Sequence, residues 1–244
     1  MNRMDACSRT DIGRKRAVNQ DYVFSSTDAV GELPNLFVVA DGMGGHNAGE
    51  FASKFCVETF VQKVSESPER TVIGRIEKAI SETNYLLREK AAEDESLSGM
   101  GTTFVVCTVC DNTVYAANIG DSRLYLIEDG DISQITVDHS LVEEMVRNGE
   151  IDRREARFHP NKNVITRALG VTKNVIPDFF ELTGRPGSIL LLCSDGLSNM
   201  VEDEEIKRIV TAHSDDIQGA VDVLIDRANE NGGRDNIAIV IVKL

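Results

Sequence analysis

The stretch from residue 101 to residue 136 constrains the fold more than any other. β-type segments follow one another there at residues 102–110, 113–118, 123–127 and 132–136. Asp111-Asn112 and Asp129-Gly130 are hairpin-type links, which predict antiparallel neighbours. No crossover helix fits between such segments, so a doubly wound parallel sheet is excluded.

Helical patterns precede this stretch. The apolar run 36–40 reads as a buried strand stopped by the glycine-rich loop Asp41-Gly42-Met43-Gly44-Gly45. Ala48, Phe51, Ala52, Phe55, Cys56 and Phe60 then recur at helical spacing on one face, and a second helix is predicted over 71–92. After Asp138, Ser140 with Glu143 resembles a capping box opening a short helix. Residues 149–163 are charged and weakly periodic and predict an exposed flap. Strands are expected at 164–169, 175–182 and 189–193, then two helices, then a closing apolar strand over 236–244. Neither a repeat nor a linker interrupts the pattern, so one domain over residues 1–244 is the expectation.

The balance of charge narrows the function classes. A net charge of −14 argues against a nucleic-acid partner, whose phosphates are held by clustered Lys and Arg. The longest apolar runs are strand-sized, too short for a membrane span, and the first residues carry no secretory pattern. A cytoplasmic protein is expected. The Cys count of 5 is odd and the positions are scattered, unlike a disulfide framework. Cys107 and Cys110 form a CxxC spacing, but in a strand residues three apart face opposite ways, so these are read as ordinary strand cysteines.

Aspartates recur where strands end or begin. Asp41 and Asp195 follow apolar runs, Asp235 precedes one, and Asp121 lies between two strands. Any one of them alone is a turn or cap residue. Carboxylates converging from separate strand ends repel one another unless a cation neutralises them, and hard oxygen ligands suit Mg²⁺ or Mn²⁺. A two-metal centre that holds a hydroxide and neutralises phosphate oxygens follows from that chemistry.

Arg16-Ala17-Val18-Asn19-Gln20-Asp21, Asp41-Gly42-Met43-Gly44-Gly45-His46, Gly101-Thr102-Thr103, Asn118-Ile119-Gly120-Asp121-Ser122-Arg123, Asp138-His139-Ser140, Ile165-Thr166-Arg167-Ala168-Leu169-Gly170, Ser194-Asp195-Gly196 and Arg234-Asp235-Asn236 occur in this order along nearly the whole chain. In them the chain resembles the metal-dependent protein phosphatases of the 2C type, in their compact bacterial form. The resemblance implies an α+β fold, a four-layer α-β-β-α sandwich of two antiparallel sheets flanked by helices. It implies hydrolysis of phosphoserine and phosphothreonine in proteins, in one step and without a covalent intermediate. By the same resemblance Asp41 bridges two ions, Mn²⁺ or Mg²⁺, the Gly42 carbonyl binds one, and Asp195 with Asp235 holds the other. Asp21 acts through metal-bound water, and Asp121 matches the ligand of a third ion. Arg16 matches the phosphate-binding arginine, and a guanidinium can grip two phosphate oxygens at once. His46 matches a histidine that orients substrate or protonates the leaving oxygen; on general grounds it reads equally as a capping or solvent-facing residue. The implied partners are phosphorylated proteins and a bacterial serine/threonine kinase with its substrates, and the chain is expected to be a monomer.

Two positions depart from the family pattern. Gln20 replaces a common glutamate, and Asn199 stands where many members have a second acid associated with the third ion. Other readings are weaker. An aspartyl-phosphate mechanism needs a second Asp where Met43 stands, and the glycine loop lacks the Gly-Lys-Ser/Thr ending of a nucleotide-binding P-loop. A phosphoprotein-binding or regulatory module on the same fold predicts loss of a metal aspartate, and Asp41, Asp195 and Asp235 are all present.

Overall fold

Period-two alternation within uniformly apolar strands builds the molecule, because such strands bury both faces. A computed structural model describes residues 4–45 and 47–244. The elements run β1 (Asp5–Asp11), β2 (Asp21–Ser26), β3 (Leu36–Met43), α1 (Ala48–Ser65), α2 (Val72–Glu93), β4 (Gly101–Thr102), β5 (Phe104–Cys110), β6 (Thr113–Ile119), β7 (Arg123–Glu128) and β8 (Asp131–Gln134). Then follow α3 (Leu141–Arg147), α4 (Arg153–Phe158), β9 (Asp178–Thr183), β10 (Ile189–Cys193), α5 (Asp195–Ser198), α6 (Asp203–Ala212), α7 (Ile217–Glu230) and β11 (Ile237–Lys243).

One sheet has the order β1-β11-β10-β7-β8 and the other β2-β3-β5-β6-β9, with β4 beside β3, and every ladder is antiparallel. Along β3, Phe37 and Val39 meet Leu190, Leu192 and Val240 between the sheets, while Leu36, Val38 and Ala40 pack outward on α1 and α2. Along β10, Leu191 and Cys193 face α5, α6 and α7 instead. The result is helices, sheet, sheet, helices, as the resemblance implies.

Both expected hairpins form. Asp111 and Asp129 take the positive φ that their turns require. The link from Ile119 to Arg123 does not make a third hairpin, since it carries the chain from one sheet to the other.

The sequence expectations need correction at several elements. β3 does not stop at Asp41, because Gly42 and Met43 pair with Thr102 and Gly101. Residues 164–169 form no strand: their backbone bonds go to separate partners, Ser140 through Ile165 and Thr102 through Leu169, so no ladder builds. Ser140 caps α3 as expected, but the Glu143 side chain turns to Arg153 instead of closing the box. The flap contains α4, opened by a full capping box between Asp152 and Glu155. β1 and β2 were not anticipated, since they are polar or only partly buried edge strands.

Phe104 is fully buried and meets Phe60 edge-on with ring centroids 4.9 Å apart, tying β5 to α1. Phe104→Ala is expected to lower unfolding free energy by about 3–5 kcal/mol, read as a reduced urea midpoint at unchanged slope.

Candidate metal centre

The candidate aspartates gather at one end of the sheet interface because each stands on a strand or within two residues of a strand end. Asp41 on β3 lies directly across the ladder from Asp21 on β2. The Asp41 N–H donates to Thr103 Oγ1 at 3.0 Å, and its carbonyl accepts from Thr103 N–H at 2.9 Å and Thr102 Oγ1 at 2.9 Å. Thr103 Oγ1 also meets Ser122 Oγ at 2.7 Å, which joins the Asp41 strand to the Asp121 loop. Gly42 follows where a side chain is impossible: a Cβ there would lie 1.9 Å from the Gly49 carbonyl oxygen.

Asp195 opens α5 with one residue between it and the end of β10, and Gly196 packs so closely that a Cβ would lie 1.8 Å from the Asn236 carbonyl oxygen. Asn236 in turn accepts the Gln20 N–H at 2.8 Å and donates to the carbonyls of Ile12 and Val18. That amide holds the loop carrying Arg16 against the start of β11. Arg16 Nη2 donates to Asp235 Oδ2 at 2.7 Å, with its side chain half exposed.

Burial, and then mutual repulsion, acts on these carboxylates together. Burial, with the charges of Asp195 and Asp235, pushes the Asp21 carboxyl up to about 8, even though Ser194 Oγ donates to its Oδ2 at 2.7 Å. Burial and the charges of Asp21, Asp195, Asp121 and Asp235 raise Asp41 well above the usual carboxylate range. Asp121 rises likewise through burial, Asp195 and Asp138. Asp195 rises to about 6 through burial and Asp235, against the opposing charges of Lys162, Arg123 and Arg16.

Two buried oxygens, Asp21 Oδ1 and Asp195 Oδ1, have no hydrogen-bond partner. A buried carboxylate oxygen left unpaired is costly, so an atom of this kind in a cluster of like charges calls for a cation. No group of three or more His, Cys, Asp or Glu side chains among the described residues is arranged to hold an ion by itself. The donor set therefore suits Mg²⁺ or Mn²⁺ held by one or two carboxylates, a backbone carbonyl and water rather than a closed cage.

Asp21, Asp41, Gly42, Asp121, Asp195, Asp235 and Arg16 thus come together, whereas His46 lies outside the described residues. Sequence reasoning missed the side chains that hold the aspartates. Ser194 serves Asp21, Thr102 and Thr103 serve Asp41, and Asn236 serves the Arg16 loop. Their signal was position alone, each standing beside or across from a candidate ligand. Asn199 donates to Asp195 Oδ2 at 2.9 Å and accepts from Lys162 Nζ at 3.3 Å.

Comparison with known proteins identifies the family of the chain. The protein phosphatase 2C family profile matches residues 12–238. A serine/threonine phosphatase stp of Listeria innocua is 41% identical over 246 residues, covering 98% of this chain and 96% of the relative. The crystal structure of the Mycobacterium tuberculosis serine/threonine phosphatase PstP/Ppp superposes with a TM-score of 0.89 at 34% identity, covering 99% of this chain and 98% of that one. The catalytic domain of PstP in complex with 2 manganese ions superposes with a TM-score of 0.86 at 33% identity, covering 98% of this chain and 97% of that one. The chain belongs to the protein phosphatase 2C family.

The raised carboxyls set a pH dependence for the metal-free protein. The Asp21 carboxyl keeps its proton in the folded state up to about 8, whereas the unfolded chain releases it near ~4. Stability from this group is present below ~4 and lost as pH rises towards ~8, with a slope of up to about 1.4 kcal/mol per pH unit for each proton retained. In chelator, the Tm of the wild type is expected to fall across that window, and Asp21→Asn is expected to flatten the fall.

Proposed function

We propose that this chain is a metal-dependent protein serine/threonine phosphatase, a single catalytic domain whose site is the cleft of Asp21, Asp41, Asp195 and Asp235. The observation that carries the reading is the pair of partnerless buried oxygens, Asp21 Oδ1 and Asp195 Oδ1, within a cluster of carboxylates that raise one another's pKa. Mn²⁺ or Mg²⁺ would be held by Asp41, by the Gly42 carbonyl, and by Asp195 with Asp235. When bound, the ions supply positive charge for phosphate oxygens and make a water more acidic.

The chain's own residues do the rest. Arg16 receives the phosphate: its half-exposed guanidinium has donors beyond the one given to Asp235, in the fork geometry that suits two oxygens. Asp21 is held at one oxygen by Ser194, and its other oxygen, buried and partnerless, would accept a hydrogen bond from a water drawn into the site. Hydrolysis proceeds in one step: a water oxygen bonds to phosphorus as the bond from phosphorus to the serine or threonine oxygen breaks. That oxygen leaves as the hydroxyl with a proton given up by the water, and Arg16 carries part of the charge on the phosphoryl oxygens. Burial pushes the Cys107 thiol up to about 12 and raises those of Cys56 and Cys193, which keeps them protonated and supports a route without a thiolate nucleophile.

The substrates on this reading are proteins phosphorylated by a serine/threonine kinase, and the charged flap of α4 selects among them. No helix among the described residues is long and apolar enough to cross a membrane, and the proposed setting is the cytoplasm.

A phosphothreonine peptide is expected to be hydrolysed with Mn²⁺, not in chelator, and not by Asp195→Asn. Arg16→Ala is expected to lower kcat/KM by about 100-fold. Full turnover in chelator, or by Asp195→Asn, would contradict the proposal.

A further inference from the structure

A cavity of about 440 Å³ opens beside the carboxylate cleft and is lined by Asp121, Asp195, Asn199 and Lys162, with Arg123 and Asp138. The charges in it are unevenly paired. Arg123 is committed: its Nε and Nη2 bond Asp138 at 2.7–3.1 Å, and its Nη1 donates to Tyr125 OH at 2.8 Å. Asp121 is buried and has no ion pair among the described residues. Lys162, arriving from the end of the flap, is the converse case. Its ammonium has no ion pair among the described residues and donates instead to a neutral amide, Asn199 Oδ1.

The orientation of that amide is forced. A carboxylate oxygen only accepts and an ammonium only donates, so Nδ2 must face Asp195 and Oδ1 must face Lys162. An aspartate at position 199 could not donate to Asp195 and would add a like charge beside it. Asn199 therefore fits an arrangement in which the positive charge at this edge comes from the chain.

We propose that the Lys162 ammonium is a resident cation, positioned by Asn199, which holds the edge of the cleft that a third divalent ion would take beside Asp121 and Asp195. The inference rests on the proposed metal site, and it makes a statement about ion number that the activity alone does not. It also ties the flap to the metal site, since Lys162 lies just beyond α4 and reaches Asp195 through one side chain.

The test counts Mn²⁺ bound to the full chain, by equilibrium titration with free Mn²⁺ read by electron paramagnetic resonance. Wild type and Lys162→Arg are expected to bind two ions. Lys162→Met and Asn199→Asp are expected to gain a third, with a Kd about tenfold or more below any further site in the wild type. Adding Asp121→Asn to Lys162→Met is expected to remove the gain. Matching isotherms for wild type, Lys162→Met and Asn199→Asp, all folded by circular dichroism, would overturn the proposal, as would a third ion that survives Asp121→Asn. A Lys162→Met variant with unchanged ion number but a raised KM would also overturn it and assign Lys162 to substrate. Failure of the wild type to bind any Mn²⁺ is a separate result, which would overturn the proposed metal site itself.

Discussion

Carboxylates buried together repel, and the positions of Asp21, Asp41, Asp121 and Asp195 are affordable only because the strands and the short links at their ends hold them there. In a flexible loop such groups would move apart into water. Here Asp21 and Asp41 are neighbours across one ladder, while Asp195 is anchored by the last residue of β10 and the first turn of α5. The free energy that opposes their separation comes from the apolar layers behind them, where β3, β10 and β11 are buried on both faces.

Small polar side chains convert that scaffold into a defined site. Thr103 bonds both the Asp41 backbone and Ser122, which ties the Asp41 strand to the loop that carries Asp121. Asn236 clamps the Arg16 loop to β11 while leaving Asp235 free to pair with Arg16. The close approaches at Gly42 and Gly196 leave no space for a side chain, which lets backbone run next to the carboxylates. Arg16 pairs with Asp235 in a half-exposed setting, where an ion pair is weak; on the proposed reading that pair would yield to a doubly charged phosphate.

The buried strands and long helices were legible in the sequence because both faces of β3, β5 and β10 are apolar and because α1 and α2 carry helical periodicity. The edges were not. β1 shows little hydrophobic signal because only one side of it is paired and much of it is exposed. Residues 164–169 look like a strand by composition, but their partners lie on different segments, which no local pattern encodes. The crossing from β6 to β7 was hidden for a related reason: Gly120 turns with φ of +105° into a second sheet rather than a hairpin. At the site, the aspartates were legible from their place at strand ends, whereas Ser194, Asn236 and Lys162 act through contacts with residues distant in sequence.

A divalent-cation site at the repelling carboxylates is what the fold, the raised pKa values and the partnerless oxygens have in common. Anomalous diffraction at the manganese absorption edge, from crystals grown with Mn²⁺, tests it most directly. Peaks are expected against Asp41 and against Asp195 with Asp235. Well-ordered crystals with Mn²⁺ present and no anomalous density at these carboxylates would contradict it.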